Sequence, residues 1–306
     1  MSRPRFRPVP LAAALAAVSL VVPLRASAQG HPDLPASNDA AEARINASPR
    51  HAEWVEIPWG DGQKDSLMAY LVYPVTSREH SPVVVVVHEI FGLTTWARAV
   101  ADQVAAEGFI AIAPDLNSRV RGGPSTVELS RDSSVKIIRG VPTADKNAGV
   151  TAAARYAMSL ASAEHRYAVI GFCWGGSTTW GYAINGGIPG YVGGVAFYGT
   201  PYTRNGALVV DSLKKIDEPI MLLSGSKDAR IGALMPTIDS TMNALGKDYF
   251  GRNYQGAIHG FMRAQDDPMR PERDPAEEQA NLAAAKDAWP RTVAFLKKRL
   301  GLQDGP

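Results

Sequence analysis

Two kinds of apolar run alternate along the chain. Ser81-Pro82-Val83-Val84-Val85-Val86-Val87-His88 and Phe109-Ile110-Ala111-Ile112-Ala113 are apolar without alternation, the mark of strands buried on both faces of a parallel sheet. Between them, Thr94 to Glu107 has helical character and Gly108 stops it. The same pairing recurs downstream. A helix from Thr143 or Asp145 to Ala163 places Val150, Ala154, Ala157, Met158 and Ala161 at helical spacing, and Tyr167-Ala168-Val169-Ile170 is the strand after it. Further strands are expected at Val192–Tyr198, Pro219–Gly225 and Tyr249–Tyr254. A last helix runs from about Pro275 to Leu300, with Pro290 expected to break or kink it. Ahead of these units, Glu53–Pro58 and Ser66–Pro74 flank the turn Gly60-Asp61-Gly62-Gln63 as an antiparallel hairpin. Alternating strands and helices without a linker predict one α/β domain over 51–302, built on a mostly parallel open sheet with helices on both faces.

The ends read differently. Arg3, Arg5 and Arg7, an apolar run from Leu11 to Leu24 and the small-x-small site Ala26-Ser27-Ala28 predict a secretory signal over 1–28, cut after Ala28. That apolar run is about 14 residues long, short of the ~20 that a membrane-spanning helix needs. The mature chain is therefore expected in the periplasm or outside the cell, with no membrane association once the signal is removed. Residues 29–50 are rich in Ala, Asn, Asp, Pro and Ser without periodicity, and are expected to form a poorly ordered arm. A formal charge of +2 and 45% hydrophobic residues leave no polyelectrolyte character and no argument for nucleic acid. Nothing in the sequence addresses oligomeric state.

Candidate chemistry gathers where strands end, as it does in open α/β sheets. Glu89, Asp115, Cys173, Tyr198, Asp228 and His259 each follow a predicted strand. Gly171-Phe172-Cys173-Trp174-Gly175 is a strand-to-helix elbow of the G-x-S-x-G type with cysteine in the serine position. Cys173 is the only cysteine, so an internal disulfide is excluded, and the thiol is either inert and buried or exposed for its chemistry. The order Cys173, Asp228, His259 is that of the α/β-hydrolase triad. In such a triad an imidazole takes the nucleophile's proton and a carboxylate fixes the imidazole's orientation. His259 would then give a rising activity limb near neutral pH. His88-Glu89 is no zinc motif, because Gly92 stands where the second histidine would be. No phosphate-binding or dinucleotide fingerprint is present, and no cofactor or metal is implied.

With His88-Glu89-Ile90-Phe91-Gly92-Leu93, Ala113-Pro114-Asp115-Leu116, Gly171-Phe172-Cys173-Trp174-Gly175-Gly176, Phe197-Tyr198-Gly199 and His259-Gly260-Phe261, the chain resembles the dienelactone hydrolase family (carboxymethylenebutenolidases) from about Trp54 to Leu300. The resemblance implies the α/β-hydrolase fold and hydrolysis of small lactones or carboxylic esters through a Cys173 thioester. It makes Cys173 nucleophile, His259 base and Asp228 the orienting acid. Glu89 would engage the thiol at rest and help generate the thiolate once substrate binds. The backbone N–H groups of Ile90 and Trp174 would form the oxyanion hole. Arg263 would pair with a substrate carboxylate, Tyr198 would line the substrate site, and Arg119 or Arg131 would add a further carboxylate contact from the 117–142 segment. The competing readings are a broad carboxylesterase or thioesterase on the same triad, and a non-catalytic exported binding protein on a hydrolase scaffold.

Overall fold

The computed structural model describes residues 31–59, 66–76, 78–125, 129–264 and 274–302. The predicted signal over 1–28 and the hairpin turn at Gly60–Gln63 lie outside the described residues.

After α1 (Ala41–Asn46) come β1 (Ala52–Pro58), β2 (Ser66–Val72) and β3 (Ser81–Val87). Next are α2 (Thr95–Ala106), β4 (Ile110–Pro114), and two helices of the intervening loop, α3 (Ser118–Arg121) and α4 (Arg131–Arg139). The central unit is α5 (Thr143–Met158), β5 (Ala163–Phe172), α6 (Trp174–Ile184) and β6 (Tyr191–Phe197). A small ribbon of β7 (Thr203–Arg204) and β8 (Ala207–Leu208) leads through α7 (Val210–Leu213) to β9 (Ile220–Gly225). The chain ends with α8 (Ala229–Gly232), α9 (Met235–Ala244), β10 (Tyr249–Tyr254), α10 (Phe261–Ala264) and α11 (Pro275–Leu300).

Eight strands form one sheet in the order β1-β2-β4-β3-β5-β6-β9-β10. The β1–β2 and β2–β4 pairs are antiparallel and every other pair is parallel. The hydrophobic pattern explains this order. Every residue of β3 and of β4 is buried, as strands with a helix layer on each face require. The edge strand β10 instead has half-buried and exposed positions, and only its last residue, Tyr254, is buried. Because the inner strands run parallel, their carboxyl ends share one rim, and the loops after β3, β5, β6, β9 and β10 meet there.

Two expectations are corrected. Pro290 does not break the last helix, and α11 runs unbroken over 26 residues. Lys286, whose carbonyl loses its donor to Pro290, and Pro290 itself lie on the exposed face, while Ala284, Ala288, Trp289, Val293 and Leu296 anchor the opposite face. The segment expected to be a poorly ordered arm is folded over residues 31–50. Leu34, Ala36, Ala40 and Ala41 are buried. The Arg44 guanidinium donates to the carbonyls of His31, Pro32 and Leu34 and to Gln103 Oε1 on α2. Arg50 clasps the buried Asp102 through Nε at 2.9 Å and Nη2 at 2.6 Å. Polar contacts over 50 residues apart in sequence order the segment, which is why periodicity could not reveal it.

Candidate active site

The elbow is built by steric exclusion. Cys173 has φ 56° and ψ −112°, a conformation costly for a residue with a Cβ and held here by its surroundings. Its N–H donates to Phe197 O of the neighbouring β6 at 3.0 Å, and α6 begins at the next residue. Glycines permit the close approach. A Cβ on Gly175 would strike the carbonyl oxygens of Val87 and His88, and one on Gly176 would come within 2.5 Å of Phe197 O. Cys173 is therefore held at the carboxyl rim beside the end of β3, with the first turn of α6 behind it.

His259 and Asp228 meet at this rim from different strands. His259, beyond β10, places Nδ1 at 2.5 Å from Asp228 Oδ2 in the loop after β9. The other Asp228 oxygen accepts from Ile231 N–H at 3.3 Å and caps α8. Burial disfavours charge on Asp228, but the hydrogen bond and charge of His259 outweigh it and hold the carboxyl below its ordinary range. Burial also opposes a protonated His259. Hydrogen bonds to Asp228 and to the Cys173 sulfur, with the charges of both, overcome it and raise the imidazole to about 9. His259 is thus an imidazolium at neutral pH, not a base titrating near neutrality. Its folded value stands above the ordinary 6.5, so its stabilising contribution is complete below about pH 6.5 and is lost as pH rises through about 9.

Glu89 is in the same group but on a different partner from the one expected. Its Oε2 lies 3.0 Å from Arg263 Nε on α10, with the carboxyl 6% exposed and the guanidinium 31%. Burial pushes the Glu89 carboxyl up, against the pull of Arg263 and His259. The cation expected to meet a substrate carboxylate and the acid expected to meet the thiol are therefore paired with each other. Gly260 sits against both, its missing Cβ leaving 3.7 Å to Arg263 Nη2 and 3.8 Å to Glu89 Oε1.

Tyr198 is fully buried, 5.0 Å from the His259 ring between centroids, and its hydroxyl has no hydrogen-bond partner among the described residues. It forms the floor under His259, not an open wall of the site. Its backbone is also in the left-handed region, with φ 38°. Ile90 N–H lies in the turn after Glu89, and Trp174 N–H in the first turn of α6, where helix donors have no intrahelical partner.

Arg119 is placed elsewhere. It pairs with Asp145 at 3.2 Å, stacks 4.4 Å from the Trp59 ring, and lines a cavity of about 480 Å³ with Glu56, Ser66 and Met68. None of the residues gathered around Cys173 lines that cavity. Arg131 is the first residue of α4. Asp115 is structural: its buried carboxylate accepts from Ser125 N–H at 2.5 Å and Ser125 Oγ–H at 2.9 Å, pinning the loop after β4. His88 is a buried neutral ring. Leu116 N–H donates to its Nε2 at 3.1 Å, leaving the proton on Nδ1 for Glu89 O at 2.6 Å, and burial pushes the ring's pKa down.

Sequence reasoning missed Lys146. Its ammonium lies 4.8 Å from the Trp174 ring, whose other ring contact is the parallel His88 imidazole at 5.6 Å. No motif marks it, and only its place in the first turn of the helix preceding β5 could have drawn notice.

Comparison with known proteins finds relatives along most of the chain. The model of the dienelactone hydrolase family matches residues 67–300. An assigned carboxymethylenebutenolidase of Escherichia coli (strain K12) is 30% identical over 253 residues, 81% of this chain and 87% of the relative. A Bradyrhizobium protein assigned as a 2-oxo-3-(5-oxofuran-2-ylidene)propanoate lactonase is 29% identical over 259 residues, 81% of this chain and 94% of its own. Among solved structures, one assigned as a dienelactone hydrolase of Klebsiella pneumoniae superposes with a TM-score of 0.64 at 28% identity, covering 81% of this chain and 99% of that one. With the sheet, the elbow and the family match in agreement, the chain belongs to the dienelactone hydrolase family of α/β-hydrolase enzymes.

Proposed function

We propose that this protein is an exported, cysteine-dependent hydrolase of small lactones or carboxylic esters, with carboxylated substrates preferred. The observation that carries the reading is the convergence of Cys173, His259 and Asp228 at one rim of the sheet, with Glu89 and Arg263 paired beside them. The residues supply each step. A substrate carboxylate competes with Glu89 for Arg263, whose planar fork suits a carboxylate, and the released Glu89 turns toward the thiol and takes its proton. The Cys173 thiolate attacks the carbonyl carbon, and the oxyanion is met by the Ile90 and Trp174 N–H groups. As the C–O bond breaks, the His259 imidazolium gives its proton to the leaving oxygen. Neutral His259 then takes a proton from water, hydroxide attacks the thioester, and the departing thiolate recovers its proton from Glu89, which restores the thiol beside the His259 imidazolium. The names of the relatives agree with a lactone among the substrates.

The test uses protein recovered from the exported fraction, where its mass should correspond to a chain beginning at Gln29. A carboxylated enol-lactone and a matched carboxylated ester are expected to exceed their neutral analogues in kcat/KM by about 10- to 100-fold, the value of a charge-assisted hydrogen bond. Equal turnover across neutral esters and thioesters would favour the broad esterase, and no hydrolysis of any compound would leave only the binding protein.

The pH dependence follows from His259. In free enzyme, kcat/KM should fall as pH rises through about 9, because the imidazolium that protonates the leaving group is lost there. Asp228→Asn should move that limb downward. A limb unmoved by this substitution would show that His259 does not produce it.

A further inference from the structure

The folded segment before β1 reaches the site. Asn38 N–H donates to Arg263 O at 3.0 Å, and this contact joins the N-terminal strap to the residue whose guanidinium holds Glu89. The carbonyls at the end of a helix have no intrahelical donor. Arg263 lies in the last turn of the four-residue α10, and its carbonyl accepts the Asn38 N–H there.

The strap is rigid enough for the contact to matter. On the residues just before Asn38, Trp96 Nε1–H of α2 donates to Ala36 O at 2.9 Å, with Trp96 1% exposed. Beyond it, Arg44 ties the strap to Gln103 at 2.8 Å. The donor is therefore fixed from both sides onto a helix of the core. His259 has anchors of its own in Asp228 and in Ile258 N–H, which donates to Asn281 Oδ1 at 3.0 Å. Loss of the strap contact should thus disturb Arg263 and leave the histidine in place.

We propose that residues 31–50 are a specificity-determining strap: the Asn38 N–H positions Arg263, and through it recognition of the substrate carboxylate depends on a segment upstream of the 67–300 family region. Asn38 is a positioning residue and touches no reacting atom. The proposal rests on the reading of Arg263 as the carboxylate partner given above.

The test compares matched carboxylated and neutral aryl esters on the full mature chain. Asn38→Pro removes the N–H, and Asn38→Ala keeps it. Asn38→Pro should raise KM for the carboxylated ester about three- to ten-fold, the value of one hydrogen bond, and leave kcat and neutral-ester kinetics within about two-fold. Asn38→Ala should behave as the parent. Arg44→Ala, which loosens the strap by a different route, should reproduce the selective rise in KM. Thermal unfolding of each variant separates this outcome from misfolding. Equal loss on both esters, or unchanged KM in both Asn38→Pro and Arg44→Ala, would overturn the strap. Neutral-ester turnover that depends on Cys173 tests the hydrolase reading separately, so the two failures are distinguishable.

Discussion

Replacing Cys173 with alanine is expected to lower kcat/KM for any ester or lactone substrate by at least about 10³-fold, with little change in substrate binding. The sulfur is the only atom at the elbow able to form the bond to the carbonyl carbon, and neither of its partners can take that part. Asp228 is committed to His259 at 2.5 Å, and Glu89 to Arg263 at 3.0 Å. Without the nucleophile, Arg263 and the oxyanion donors still hold substrate, so the loss should appear in kcat. Cys173→Ser should recover only a small part of the activity, because a protonated His259 cannot take a hydroxyl proton and a carboxylate removes one from an alcohol far less readily than from a thiol. Activity that survives Cys173→Ala would move the chemistry to another residue.

The second large effect concerns the elbow itself. Gly175→Ala should destabilise the fold by about 3 kcal/mol or more, which corresponds to about 6–12 °C in Tm for a domain of this size. The added methyl would run into the carbonyls of Val87 and His88 at the end of β3. Those atoms are backbone of a fully buried strand and cannot swing aside as a side chain could. Relief would require α6 to move away from β3, and Cys173 and Trp174 with it, so activity should fall along with stability. Gly123→Ala is the matched control: nothing stands within 4 Å of its added Cβ, and Tm should stay within about 2 °C. Equal Tm values for the two variants would contradict the packing described here.

What was legible in the sequence was what short-range pattern encodes. The unbroken valine run at Val83–Val87 announced a doubly covered strand, and the glycines around Cys173 announced a close approach of strand and helix. The chain order of Cys173, Asp228 and His259 placed three side chains that the fold brings to one rim. What escaped depended on partners remote in sequence. Glu89 and Arg263 were each recognised, but their pairing across 174 positions decides what each does at rest, and no periodicity records it. Composition made residues 31–50 look loose, although Arg44 and Arg50 find buried partners on α2. His259 was expected to titrate near neutrality because its type does so in water, whereas Asp228 and the Cys173 sulfur raise it to about 9. Pro290 was expected to break a helix that tertiary packing keeps whole.

Mass spectrometry of the enzyme quenched in acid during turnover of an activated aryl ester tests the central claim most directly. The account predicts one added acyl group, carried by the peptide containing Cys173 and absent from Cys173→Ala protein. Turnover with no acyl adduct at Cys173, or with the adduct on another residue, would contradict it.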